Sequence, residues 1–370
     1  MTALDAFFTP FACKSLKLAN RFMMAPMSRY FAPGGILSQE SADYYRRRIE
    51  GGVGAVITEG VAVDRPGSVA ADTVPHFYGE EGLAAWDRAR AGVHGAGGAI
   101  IPQLWHVGGC TDFNFPDSPH DPLESPSGLV GPGIEGGRVM TAQDIDGVIA
   151  SFVRGALDAQ RLGFDAVELH GAHGYLFDQF FWDVTNQRDD RFGGPGIAER
   201  VRFAADTVAA IRAAVGPDFA IIFRVSQWKT YMYEAKIATT PAELEQWLAP
   251  LSAAGVDIFH CSERRFWEAA FPDEGDRNLA GWAKHITGKA TITVGSVGLD
   301  RDLMQDFVEG QSVPTLKSLD ELAHRFDRGD FDLVAVGRAL LADPHWLQKV
   351  RNGAVDELLP YSRECMDVLH

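Results

Sequence analysis

Eight apolar runs, each followed by a helix-like stretch, set the strongest limit on how this chain folds. The runs span 22–26, 53–63, 99–105, 164–169, 220–225, 256–261, 290–294 and 333–336. Helical patterns between them cover 39–50, 82–95, 141–162, 199–214, 240–254, 277–287 and 301–308, with another at 339–351 after the last run. Short runs without polar alternation suit strands covered on both faces, and strands alternating with helices imply right-handed crossovers into a parallel sheet. Eight such units with no obvious linker predict an α/β protein, a single (β/α)8 TIM barrel over 1–370. A doubly wound open sheet is the alternative. The helix starts agree with this register: Thr141 with Asp144, and Thr240-Pro241 with Glu243, read as N-caps followed by acidic first turns. Two connections are long, an inserted loop after the third strand (108–140) and an insertion before the eighth (309–330). The first follows a strand's carboxyl end and is expected to shape the mouth of a site; the second reads as a peripheral elaboration.

A chain of 370 residues, 46% hydrophobic, can bury the large core that a barrel needs. Its formal charge is −16 and its only basic run is 46–48, which argues against nucleic acid and anionic membrane as partners. No apolar run approaches a membrane span and the opening MTALDAFFTPF lacks signal-peptide regions, so a cytoplasmic protein is expected. Cys13, Cys110, Cys261 and Cys365 are scattered without a CxxC pair, the pattern of reduced thiols.

If the barrel is right, polar residues at the carboxyl ends of the runs converge on one rim. The densest cluster is in ELHGAHGYLFDQF (168–180), which sets His170, His173 and Tyr175 at or just after the end of the fourth strand. Two imidazoles and a phenol there can grip a substrate oxygen and deliver a proton; the alternatives are ordinary loop histidines with a packed tyrosine. A metal site from His170, His173 and Glu168 lacks a convincing further ligand, so no metal is expected. Gly295, Gly337 and Arg338 follow the last two strands, where barrels commonly bind phosphate; a glycine-capped turn and a salt-bridged arginine is the other reading. Arg224 ends the fifth strand, where burial is costly without an anionic partner, either an electron-rich ring or an ordinary acidic side chain. Gln103 offers a donor and an acceptor to the edge of such a ring.

These residues, with FTPFACKSLKLANRFMMAPMSRY, NQRDDRFGG and VGRALLADPHW, give a sequence that resembles the old yellow enzyme family of FMN-dependent NAD(P)H:acceptor oxidoreductases over nearly its whole length. The resemblance implies non-covalent FMN across the carboxyl-end mouth of the barrel, NADPH or NADH as electron donor, and hydride transfer to the activated C=C bond of an enone or nitro acceptor. It implies that His170 and His173 bind the acceptor's oxygen, that Tyr175 donates the proton, and that Tyr30 covers the substrate. Ala25, Pro26, Met27, Ser28, Gly60, Gln103 and Arg224 would contact the flavin ring, and Gly295, Ser296, Gly337 and Arg338 the phosphate. Homo-oligomers are compatible with the family.

Ser28 departs from the Thr or Cys that the family usually sets beside a flavin carbonyl, and His170 with His173 places the chain in the His/His branch. No cysteine-rich stretch follows the last strand, so an iron–sulfur relay and a second flavin domain are not expected. Two other readings stay open: a flavin-dependent desaturase running the reaction backwards, and a barrel that binds a phosphate ligand without redox turnover. Substrate shape is expected to depend on 108–140 and on 264–271, where Phe266, Trp267 and Phe271 either line a pocket or simply pack.

Overall fold

The apolar residues of the eight runs sort by parity, and the computed structural model, which describes residues 4–69, 71–110 and 123–370, closes the runs into a parallel barrel. In chain order its strands are β1 (Phe22–Met24), β2 (Ala55–Ala62), β3 (Ala99–Trp105), β4 (Ala166–His173), β5 (Ala220–Lys229), β6 (Ile258–Ser262), β7 (Ala290–Val294) and β8 (Leu333–Val336). Val334 pairs with Phe22 and Val336 with Met24, so β8 closes onto β1 and the open-sheet alternative falls. Eight helices follow the strands in turn: α1 (Gln39–Glu50), α2 (Glu80–Gly95), α3 (Ala142–Leu162), α4 (Arg202–Val215), α5 (Pro241–Ala254), α6 (Leu279–Thr287), α7 (Leu316–Asp327) and α8 (Trp346–Arg351). Among the described residues no helix is long and apolar enough to cross a membrane.

Strand side chains alternate in direction, so one parity faces the barrel axis and the other the helices. Ala99 and Ile101, Ala220 and Ile222, Ile258, Ile292, Leu333 and Ala335 form an inner cluster. Their neighbours Ile100, Val167, Leu169, Ile221, Phe223, Phe259 and Val334 join the outer core. The inner cluster is capped below by Leu16 and Leu18 from the hairpin Phe11–Cys13 and Leu16–Leu18. Ser15 fixes that cap at the amino ends of the strands: its hydroxyl donates to Asp165 O at 2.7 Å and accepts from Ala220 N at 2.9 Å. Continuing up the inward parity, Gln103, Glu168, His170, Arg224, His260 and Ser262 are all buried. A polar layer thus rests on an apolar one at the carboxyl ends, where the site was expected.

The structure departs from the sequence reading around β8 and at the end of β4. The last helical pattern is two helices, Arg338–Ala342 and α8, because Pro344 supplies no N–H and pushes Asp343 to φ −142°, ψ 102°. The insertion before β8 is not peripheral: it contains α7, the crossover helix itself, with Leu319, Leu322 and Ala323 buried in the core. The expected crossover helix at 301–308 is the short extra helix Leu303–Glu309. Finally, β4 runs past Leu169 to His173, with a register shift between Gly171 and His173. Gly171 is there for close packing, since a Cβ would lie 2.2 Å from the Phe223 ring.

Candidate active site

His170 is an inward residue of β4 and pairs in register with Arg224 of β5. The bulge that follows turns His173 into the left-handed region (φ 66°), with Gly174 at φ 88° next to it. Tyr175 then precedes the short helix Leu176–Phe181. This turn folds three rings together: His170 lies 5.2 Å from His173 and 4.9 Å from Tyr175 between centroids, both edge-on. Trp105 packs edge-on against Tyr175 at 4.9 Å, and Trp228 stacks on His173 at 4.3 Å. His173 Nε2 is 2.8 Å from Ser262 Oγ, and its backbone N–H donates to Ser226 Oγ at 2.9 Å. His170 Nδ1 accepts from Ala172 N at 3.4 Å, which leaves the ring proton of a neutral His170 on Nε2.

Burial, and then the Arg224 charge, hold both imidazoles well below the ordinary histidine range. They are therefore neutral N–H donors at physiological pH. Both rings are expected to stay neutral at a pH where an ordinary histidine is already protonated; NMR titration of the histidine ring carbons checks this, and protonation in the ordinary histidine range would contradict it.

Arg224 is only 6% exposed, and burial lowers its guanidinium to about 10. Its one hydrogen bond within the described residues is from Nη2 to Ser262 Oγ at 3.4 Å, and its Nε has no partner there. The ordinary Arg–acid pair read as an alternative is thus not formed by direct contact. Gln103 Nε2 donates to Glu168 Oε1 at 2.7 Å, and the other carboxylate oxygen is 2.7 Å from His260 Nδ1. Glu168, weighed as a metal ligand, turns to these two instead. Gly60 pairs in register with Gln103, and a Cβ on it would lie 2.9 Å from the Trp105 ring.

The glycine motifs of β7 and β8 meet on one side of the mouth. Gly295 has φ 149° and a Cβ there would be 2.5 Å from the Glu263 carbonyl oxygen, so only glycine fits. Arg338 Nη2 donates to Ser296 Oγ at 3.1 Å and to the Arg301 carbonyl at 2.7 Å, while Nη1 forms an ion pair with Asp306. The salt-bridged arginine of the sequence analysis is therefore the pairing present. Gly337 faces the end of β1: a Cβ would be 3.4 Å from Met27 Sδ and 3.9 Å from Ala25 Cβ. Tyr30, in the left-handed region at φ 61°, packs with Tyr175 against the small cluster around Trp105. The 25–30 segment, including Pro26 and Ser28, is held by a residue that sequence reasoning missed. Glu59, buried beside Gly60, accepts from Arg29 N at 2.9 Å and from the Tyr45 hydroxyl at 3.0 Å.

The inserted loop after β3 is anchored by Glu124, which contacts His106 Nε2 at 3.1 Å and accepts from Arg138 Nη2 at 2.9 Å. Residues 111–122 of that loop lie outside the described residues. Phe266 and Phe271 are core residues, with Trp267 half-buried against them. Cys110 and Cys261 are buried free thiols; burial raises Cys110 to about 12 and Cys261 well above the usual range, as inert thiols require.

A profile of the NADH:flavin oxidoreductase / NADH oxidase family matches residues 6–357. An NADH oxidase of Thermoanaerobacter brockii is 32% identical over 99% of this chain and 53% of its own length, so the chain spans about half of that relative. Chanoclavine-I aldehyde reductase fgaOx3 of Penicillium roqueforti (strain FM164) is 30% identical, with 96% of this chain and 91% of that protein covered. For 12-oxophytodienoate reductase 7 of Oryza sativa subsp. japonica the figures are 28%, 94% and 88%. The solved structure of morphinone reductase in complex with tetrahydroNAD superposes with a TM-score of 0.77 at 24% identity, covering 98% of this chain and 94% of that one, a likeness of fold. By sequence profile, relatives and barrel together, the chain belongs to the NADH:flavin oxidoreductase / NADH oxidase family, the old yellow enzyme family of FMN oxidoreductases.

Proposed function

We propose that this chain is an ene-reductase that saturates the activated C=C bond of α,β-unsaturated carbonyl or nitro compounds. The observation that carries the reading is the neutral pair His170 and His173 set edge-on with Tyr175 beside a buried guanidinium that no carboxylate contacts within the described residues. The residues fit FMN. Arg224, buried with an unpartnered Nε, suits the electron-rich edge of the ring, with Gln103 next to it. Ala25, Pro26, Met27, Ser28 and Gly60 would hold the ring from β1 and β2. Gly295, Ser296, Gly337 and Arg338 would hold the phosphate, Arg338 sharing its charge with Asp306. Bound FMN would take hydride from NADH or NADPH and supply it to the β carbon of the acceptor.

The chain's own residues do the rest. N–H groups of His170 and His173 hold the carbonyl or nitro oxygen and stabilise the negative charge that develops there. Neutral imidazoles suit this role because they donate without surrendering the proton at physiological pH. Tyr175 gives its phenolic proton to the α carbon, completing addition of hydride and proton across the double bond. Tyr30 would bound the substrate on the β1 side. The names of two relatives, an oxophytodienoate reductase and an aldehyde reductase, agree with a carbonyl-bearing acceptor.

An anaerobic visible spectrum tests the reading. Flavin absorbance is expected in protein supplied with FMN, to bleach with NADPH or NADH, and to return with 2-cyclohexenone. Protein that takes up no FMN would sink the proposal; bleaching without return would discard enones as acceptors.

A further inference from the structure

Below the imidazole pair, a carboxylate, an amide and a second imidazole are linked across three strands. Glu168 of β4 receives Gln103 Nε2 of β3 and faces His260 Nδ1 of β6, both at 2.7 Å, and Glu168 and His260 are completely buried. Burial keeps His260 below the ordinary histidine range against the pull of Glu168. A neutral ring donating from Nδ1 leaves Nε2 as a bare acceptor, and that atom indeed has no partner among the described residues. His260 therefore adds no charge. That leaves two formally charged side chains in the layer, Glu168 and Arg224, on the neighbouring strands β4 and β5, with Glu168 favouring the charged guanidinium against its burial. Both oxygens of Glu168 are engaged by Gln103 and His260, so it offsets Arg224 through space and leaves the guanidinium with one long hydrogen bond, Nη2 to Ser262 Oγ at 3.4 Å, and an unpartnered Nε among the described residues.

We propose that Glu168 is a positioning residue that sets the redox balance of the cofactor, by damping the Arg224 charge and by aiming the Gln103 amide. An ionised carboxylate only accepts hydrogen bonds, so it holds the amide nitrogen of Gln103 toward itself, as the 2.7 Å contact has it, and leaves the amide oxygen for another donor. A carboxylate in this layer opposes build-up of negative charge on a reduced ring, while Arg224 favours it. The inference rests on the FMN reading given above.

Glu168→Gln keeps the side-chain shape and removes the charge. With Arg224 no longer offset, reduced FMN is expected to gain on the order of tenfold in affinity relative to oxidised FMN. That corresponds to a rise of about 30 mV in a two-electron midpoint potential. Spectroelectrochemical titration of the FMN-loaded variant reads the shift. A purely structural role would lower the melting temperature or FMN content and leave the potential where it was, and an unchanged or lower potential overturns the proposal. His260→Gln, which removes a neutral group, is expected to move the potential far less; an equal rise would also overturn it. Should Glu168→Gln fail to fold, carbon-13 NMR of labelled glutamate in the wild-type protein decides: an ionised buried carboxylate supports the proposal and a protonated one defeats it. Wild-type protein that binds no FMN would instead defeat the functional reading beneath it, so the two failures are distinguishable.

Discussion

Tyr175→Phe is expected to slow reoxidation of the reduced enzyme by an enone about 10²- to 10⁴-fold, with little change in its reduction by NADPH or NADH. In barrier terms that is about 3–5 kcal/mol. The substitution removes one oxygen and preserves the ring, so the edge-on contacts to Trp105 and His170 at 4.9 Å remain and the turn from His173 to Tyr175 keeps its packing. What is lost is the proton donor. The neighbouring imidazoles are poor substitutes, because burial and Arg224 keep them neutral, and a neutral imidazole is a far weaker acid than imidazolium. Anaerobic stopped-flow separates the two half-reactions, and equal slowing of both would remove Tyr175 from the role of proton donor.

Lys229→Met is expected to destabilise the protein by about 3–5 kcal/mol, the usual consequence of stranding one partner of a buried ion pair. Lys229 Nζ lies 2.8 Å from Asp178 Oδ1, and neither side chain is exposed. Burial already raises the Asp178 carboxyl to about 6 although Lys229 pulls it down. Without Lys229 the folded-state value rises further above the unfolded one. A raised carboxyl binds its proton more tightly in the folded state, so its contribution to stability falls as pH rises and recovers as pH falls through the folded value. The deficit should thus be largest near and above neutrality and shrink on acidification. Replacing both residues, Asp178→Leu with Lys229→Met, should recover most of the loss, since a well-packed apolar pair often matches a buried ionic one. Urea midpoints at two pH values read all of this; a single variant as stable as the parent would mean that the pair does not hold the turn. Because Lys229 pairs in register with His173, this charge pair lies directly beside the bend that presents the imidazole.

Much of the fold was legible because strands buried on both faces must be apolar throughout. The runs at β3, β7 and β8 coincide with the strands residue for residue. The end of β4 was not, since Gly171 and Gly174 look like turn residues, while the structure uses Gly171 to let Phe223 close on the strand. The helix in the last insertion carried a visible signal, Leu319, Leu322 and Phe326 at helical spacing, masked by the shorter pattern before it. At the site, His170, His173, Tyr175 and Arg224 stood out because each is expensive or unusual where it sits. Glu168, His260 and Ser262 are less conspicuous, because only barrel closure reveals that their parity faces the axis. Asp178 with Lys229, and Arg338 with Asp306, are joined by tertiary folding alone, which no local pattern announces.

The stopper formed by Leu16 and Leu18 has a kinetic consequence. Among the described residues the hairpin pinned through Ser15 and the apolar layer above it cover the amino ends of the strands, so the doorway to the polar layer is the ring of strand carboxyl ends. In the proposed reaction, nicotinamide and acceptor must reach the same ring through that doorway. Two visitors that share one ring would then take turns, the barrel acting as a shuttle that is loaded by one, vacated, and only then discharged by the next.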